Sequence, residues 1–311
     1  MHVFTSKDYA PLADKRPAVT VGVFDGVHRG HRTIFKQLTD NAKQMAVPAM
    51  AITFSQHPRL TLGRSAPLSI TSLENRLHLM EQSGLDAAWV LDFSPEMAAL
   101  PGWDFSENYF HSRLAASLVV LGEGAHFGRD RDGNAHNLAN WAKTWDMKVI
   151  PVPALIVDGT RISSTAIRLA VQSGELERAE DFLGRRFSVI GTVVHGQGLA
   201  KSYGFPTLNL DPHHELRPPA GVYVTTARVG SREFPSVTNV GRPPTDAEIE
   251  AGLGDFMVET HLLDYDGDLY DQVAEVFFIK KIRDVMRFAE PAGLIRQVRL
   301  DMAEAKDYFK H

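Results

Sequence analysis

The stretch Val19–His31, VTVGVFDGVHRGH, decides how the first half of the chain is read. Three β-branched residues run into Gly22, an Asp-Gly pair follows at Asp25 and Gly26, and His28 and His31 stand three residues apart where a helix should begin. A strand, a tight turn and a helix start is the order in which an open α/β fold presents backbone N–H groups to an anion. On a first helical turn the two histidines share one face at the positive end of the helix dipole. Such a site suits charge developing on a phosphate in flight, which imidazoles and amides can meet without a covalent step. Gly22, Asp25 and Gly26 are therefore expected to bind phosphate, and His28 and His31 to act in catalysis. A pair of surface histidines after a turn is the plain alternative. Zinc finds only half a ligand set here, in a chain with no cysteine.

Outward from this stretch the first half alternates apolar runs with amphipathic segments. AVTVGVF, PAMAITF, AAWVLDF, SLVVLG and KVIPVPA read as strands, separated by helical patterns over Arg32–Met45, Leu73–Ser83 and Phe105–Leu114 and near Trp141. Strands without a polar face, separated by helices, predict a Rossmann-like open parallel sheet covered on both sides. From Phe187 the pattern changes to SVIGTVVHG, GVYVTTARVG, FMVETHLLDYDG and QVAEVFFIKKI, which predicts a small β-barrel closed by an amphipathic helix over Pro291–Phe309. A helix from Thr165 through Leu183 joins the halves, placing the domains at 1–183 and 184–311. A length of 311 residues fits two domains of about 150 residues.

Two further segments carry chemistry. DGTRISSTAIR opens a helix with Ser163, Ser164 and Thr165, and Arg168 follows one turn after Ser164. Hydroxyls and amides reinforced by a guanidinium make a second phosphate grip; a plain helix cap is the alternative. In GTVVHGQGLAKSYGFPTLNL, the glycines Gly196, Gly198 and Gly204 let backbone approach phosphates, while Thr207 and Asn209 alternate onto one strand face as hard oxygen ligands for Mg²⁺. A polar hairpin is the alternative there. Glu259 lies among apolar strand residues, where a carboxylate is costly without a task or partner. It suits a general base for an alcohol, or a structural ion pair.

Composition narrows the classes. A net charge of -5 supplies no basic field for nucleic acid, and the absence of cysteine excludes disulfides and thiolate chemistry. No segment approaches the ~18 apolar residues of a membrane span, and the N-terminus lacks a signal-peptide core. A cytoplasmic enzyme acting on small molecules is expected, with no signal for any oligomeric state.

GVFDGVHRGH resembles the HxGH adenylyltransferases, and with ISSTAIR, TFSQHPR and LVVLGEGAHFGRDRDG it resembles the FMN adenylyltransferase module of prokaryotic FAD synthetases. GFPTLNL, PPAGVYVTTARV, TNVGRPPT, VETHLLDYDGDLY and KKIRDVMRF resemble riboflavin kinase in order and spacing. The resemblance implies two ATP-dependent steps, riboflavin to FMN and FMN to FAD, with Mg²⁺ serving both. It implies that Thr207 and Asn209 hold Mg²⁺-ATP and that Glu259 activates the ribityl hydroxyl. It further implies that Arg283 and the last helix close over the flavin, and that Phe127 belongs to the flavin loop. The chain departs from the pattern at Gly124 and Ala125, where Asn or Asp and then Phe are usual, and at Leu208, Asp246 and Asp271. A kinase with a lapsed adenylyltransferase module, and a flavin-binding regulator without turnover, are the alternatives.

Overall fold

A computed structural model describes the chain except residues 9–11, 64, 196–204, 206, 215, 242–257, 266, 268 and 311. The chain forms two compact units, Met1–Ser164 and Thr165–His311. This division falls ahead of the junction expected after Leu183, by the length of a helix pair.

In the first unit β1 (His2–Thr5), β2 (Ala18–Val21), β3 (Ala49–Phe54), β4 (Ala87–Leu91), β5 (Leu118–Gly122) and β6 (Lys148–Val152) form one parallel sheet in the order β1-β4-β3-β2-β5-β6. Every residue of β2, β3 and β4 is buried, as strands covered on both faces require. Alternation splits them between two apolar layers, with Val19, Met50, Ile52 and Trp89 on one side and Ala18, Ala49, Ala51 and Val120 on the other. Helices α1 (Arg29–Met45), α2 (Pro58–Thr61), α3 (Leu73–Gln82), α4 (Pro95–Ala99), α5 (Gly102–Ser106) and α6 (Ala135–Trp141) fill the connections. A hairpin of β7 (Ile156–Val157) and β8 (Thr160–Arg161) follows, turning on Asp158 and Gly159, both at positive φ. β2 leads to β3 on one side and lies against β5 on the other. The sheet order therefore reverses beside β2, where α/β sheets open a crevice for ligands.

Two expectations change, and one strand is added. The helix expected from Arg32 begins at Arg29, because His28 caps it. The helix expected over Phe105–Leu114 is α5 followed by a π-helical turn, Glu107–Ser112, whose extra residues per turn bring the adjacent Tyr109 and Phe110 closer to one face, and both enter the core. Strand β1 was not expected from the sequence: it is a four-residue edge strand, mostly exposed, that joins the sheet by pairing with β4.

The second unit opens with a correction as well. The single helix expected over Thr165–Leu183 is two, α7 (Ser164–Gln172) and α8 (Leu176–Leu183), because Gly174 takes a φ of +77 that ends the first. Strands β9 (Ser188–Val194), β10 (Leu208–Pro212), β11 (Gly221–Val229), β12 (Arg232–Val240), β13 (Val258–Leu262) and β14 (Val273–Arg283) close an antiparallel barrel in the order β10-β13-β12-β11-β14-β9. Helix α9 (Pro291–Tyr308) covers one outer face, setting Ala305, Met302 and Phe309 against Val222, Val224 and Val237. The opposite, inner face carries a chain of buried hydroxyls, Ser236 to Thr225 to Thr238 to Thr260, at 2.8, 2.8 and 2.9 Å. Each hydroxyl finds its partner inside the barrel, so these polar groups cost little and pin the strand register.

Candidate active sites

In the first unit the site is built on the turn that leaves β2. Phe24, Gly26 and Val27 all take positive φ, of 53, 82 and 38. For a β-branched valine this is a true outlier, and such positions cost about 1–3 kcal/mol each unless surrounding structure enforces them. The enforcement is visible. The Asp25 carboxylate accepts from the amides of Ile70 and Thr71 at 3.0 and 3.1 Å and from the Thr71 hydroxyl at 3.2 Å. The Gly26 amide donates to the Thr71 hydroxyl at 3.1 Å, and Ser164 Oγ donates to the Asp25 carbonyl at 3.0 Å. Asp25 and Gly26, expected to touch phosphate, thus fasten the turn, while Gly22 packs beneath the Phe24 ring.

The turn delivers His28 to the N-cap of α1, where its Nδ1 accepts the His31 amide at 3.2 Å. An accepting Nδ1 carries no proton, which puts the neutral ring's proton on Nε2. The two rings stack with centroids 3.5 Å apart, and Phe24 meets His31 edge-on at 5.2 Å. Burial, the neighbouring His28 and the charge of Arg76 together hold His31 well below the usual histidine value of 6.5. Its Nδ1 is buried without a hydrogen-bond partner among the described residues.

Ser163 and Ser164 lie at the end of the first unit, and Thr165 and Arg168 follow on α7 in the second. Phe127 rests against Phe105 and Phe110 at 5.3 and 5.7 Å and exchanges backbone hydrogen bonds with Gly133. A Cβ on Gly133 would come within 2.4 Å of the Phe127 ring, so this glycine is what lets the ring lie down. At Gly124 a Cβ would fall 1.9 Å from Arg161 Nη2. The guanidinium occupies the space that a side chain at 124 would need.

On the barrel, strand register assembles the second site. Asn209 of β10 lies opposite Glu259 of β13, which lies opposite Asn239 of β12. The row continues through Val222 to Arg283 on the face that α9 covers. Asn239 Nδ2 donates to Glu259 Oε2 at 3.4 Å, and the buried Asn209 Oδ1 has no partner among the described residues. Thr207 sits just before β10; Gly196, Gly198, Gly204 and Asp246 lie outside the described residues. Arg283 donates to both oxygens of Asp301, at 2.9 Å from Nε and 2.6 Å from Nη2, and Gln297 adds 2.9 Å. Through Nε and Nη2, Arg283 thus ties the end of β14 to α9, while Nη1 donates to the Asp284 carbonyl at 3.0 Å. Asp271, where the resemblance leads one to expect glycine, takes a φ of 61, in the left-handed region that glycine adopts without strain.

Sequence reasoning missed Arg76, Asn239 and Asp301. Each had a faint signal: Arg76 sits three and four residues before the buried Leu79 and Met80, Asn239 alternates with Val237, and Asp301 lies four residues before Ala305 on the covered stripe.

The chain matches the FAD synthetase family over residues 11–166 and the riboflavin kinase family over residues 183–309. The bifunctional riboflavin kinase/FMN adenylyltransferase of Haemophilus influenzae is 33% identical over 294 residues, covering 94% of each chain. That of Escherichia coli (strain K12) is 33% identical over 293 residues, covering 94% of this chain and 92% of its own. A solved structure from Streptococcus pneumoniae, described as a macrolide-efflux protein, superimposes with a TM-score of 0.86 at 27% identity, covering 98% of this chain and 99% of that one. Carrying both families end to end, with relatives that match it over nearly its whole length, the chain belongs to the bifunctional riboflavin kinase/FMN adenylyltransferase family.

Proposed function

We propose that the barrel phosphorylates riboflavin to FMN and that the parallel-sheet domain adenylylates FMN to FAD, each step consuming one ATP. The observation that carries this reading is the cross-strand row in which two amide side chains, Asn209 and Asn239, flank the Glu259 carboxylate. In the first reaction Glu259 takes the proton of the ribityl 5'-hydroxyl. The ribityl 5'-oxygen bonds to the γ-phosphorus as the bond to the β,γ-bridging oxygen breaks, and ADP leaves. In the second, an oxygen of the FMN phosphate bonds to the α-phosphorus of ATP as pyrophosphate departs. The nucleophile is already an anion, so His28, His31 and Ser164 serve to hold phosphate charge rather than to remove a proton.

Mg²⁺ belongs to this reading. The Thr207 hydroxyl and Asn209 amide oxygen are hard donors, and an orphaned buried oxygen at Asn209 fits a cation that prefers such ligands. Bound there, Mg²⁺ supplies charge neutralisation to the polyphosphate. The functional boundary is placed at 183/184, beside the start of the riboflavin kinase match at residue 183. A cytoplasmic setting accords with two ATP-consuming steps and a cysteine-free chain.

The test separates the two lesions. Glu259→Gln should stop FMN formation yet leave FAD formation from supplied FMN, and His28→Ala should do the reverse. Loss of both reactions in either well-folded variant would defeat the two-site reading.

A further inference from the structure

Arg76 is the one charged side chain of α3 that is buried, at 5% exposure, and nothing in the reaction described above uses it. Its Nη1 donates to the Val23 carbonyl at 2.9 Å and its Nη2 to the Phe54 carbonyl at 2.6 Å. Those carbonyls stand at the start of the two loops that leave adjacent strands β2 and β3, at the edge where the sheet opens its crevice. Val23 immediately precedes the turn in which Phe24, Gly26 and Val27 take positive φ, and Phe54 immediately precedes the Ser55–His57 segment. The Thr53 hydroxyl donates to the same Val23 carbonyl at 3.2 Å, so both tethers converge on one oxygen.

We propose that Arg76 is a positioning residue for adenylyl transfer: its forked guanidinium locks the β2 and β3 loops together and thereby fixes where His28 and His31 meet the phosphates of ATP. The inference rests on the adenylyltransferase reading of this domain. A planar fork suits the task because two carbonyls on separate strands must be reached at once, which one ammonium on a flexible stem does not do with fixed geometry. The turn it braces is strained, and strained turns persist only where neighbours over-determine them. Arg76 also acts at a distance. Its positive charge is one of the causes holding His31 neutral, after burial of the ring and alongside His28 at the helix cap, while Asp25 faces Arg76 itself. The third nitrogen, Nε, is buried with no partner among the described residues, so the side chain is held by the two loop carbonyls.

The experiment compares full-length wild type, Arg76→Met and Arg76→Lys. FAD formation from FMN and Mg-ATP is measured beside FMN formation from riboflavin, and the His31 imidazole titration is followed by NMR. Misplacement of a reacting geometry by about 1 Å costs on the order of a hundredfold. Arg76→Met should therefore lower kcat for FAD formation by that order, with a smaller change in KM for ATP and unchanged kinase activity. Its His31 midpoint should move upward. Arg76→Lys keeps the charge but not the fork, so its His31 midpoint should stay low while kcat still falls. FAD formation within twofold of wild type in folded Arg76→Met overturns the proposal. Should that variant lose its fold, the same result in Arg76→Lys overturns it. Wild type that makes no FAD at all would defeat the adenylyltransferase reading instead; an unmoved His31 midpoint in Arg76→Met would then still overturn the link between Arg76 and the histidine.

Discussion

At the scale of single residues, buried charge makes the sharpest predictions. His31 has a folded-state value below its ordinary 6.5. The unfolded chain thus binds a proton there before the folded chain does, and stability falls as pH drops below about 6.5 toward the depressed value. Above 6.5 the penalty vanishes. All four tryptophans lie in the first unit, so urea unfolding followed by tryptophan fluorescence reads that unit alone. Between pH 6.5 and pH 5 wild type should lose more stability than His31→Gln; equal slopes would contradict the assignment. In the second unit Asp301 is 3% exposed and holds the Nε and Nη2 edge of Arg283 with both oxygens. Asp301→Asn strands the guanidinium and should cost about 3 kcal/mol, seen as earlier thermal loss of kinase activity. Unchanged inactivation would show that α9 is held by its apolar contacts alone.

Elements are decided by close approaches that a motif does not display. The loop after β5 depends on Gly102, Gly128 and Gly133 crossing one another, and a Cβ on Gly128 would lie 2.5 Å from Gly102. Gly133→Ala should push the Phe127 ring off Phe105 at a cost of about 1–3 kcal/mol. The expected readout is a raised KM for FMN in the adenylyl step with riboflavin phosphorylation untouched; identical KM values would remove Phe127 from the flavin site. Gly124 bears on the same loop. Introducing the usual asparagine, Gly124→Asn, must displace the Arg161 guanidinium, so in this chain the substitution should slow FAD formation rather than improve it. A faster variant would mean that Arg161 contributes nothing at that place. For α7 and α8, a positive φ at Gly174 broke what hydrophobic spacing had read as one helix.

For the whole molecule, two sites in one chain predict complementation. Glu259→Gln retains the adenylyl site and His28→Ala retains the kinase site, so an equimolar mixture supplied with riboflavin and Mg-ATP should make FAD although neither does alone. No FAD from a mixture of individually half-active variants would require FMN to stay within one chain. The architecture behind this was open to reading from the sequence because its signals are local. Uniformly apolar strands alternating with amphipathic helices specify a parallel sheet, closely spaced strands with turns specify the barrel, and GVFDGVHRGH and GFPTLNL carry the spacing of their motifs within a few residues. The spacing that nominates Glu259 and the histidine pair is local in the same way. What distant segments do to one another was decided only in the folded chain: Asp25 capping Ile70 and Thr71, Arg76 bridging Val23 and Phe54, Asn239 reaching Glu259, and Arg283 paired with Asp301. Periodicity and spacing report which face of its own element a residue occupies, whereas a buried polar group takes whichever partner the packing of other elements brings within about 3 Å, and that partner is fixed only when the chain closes on itself.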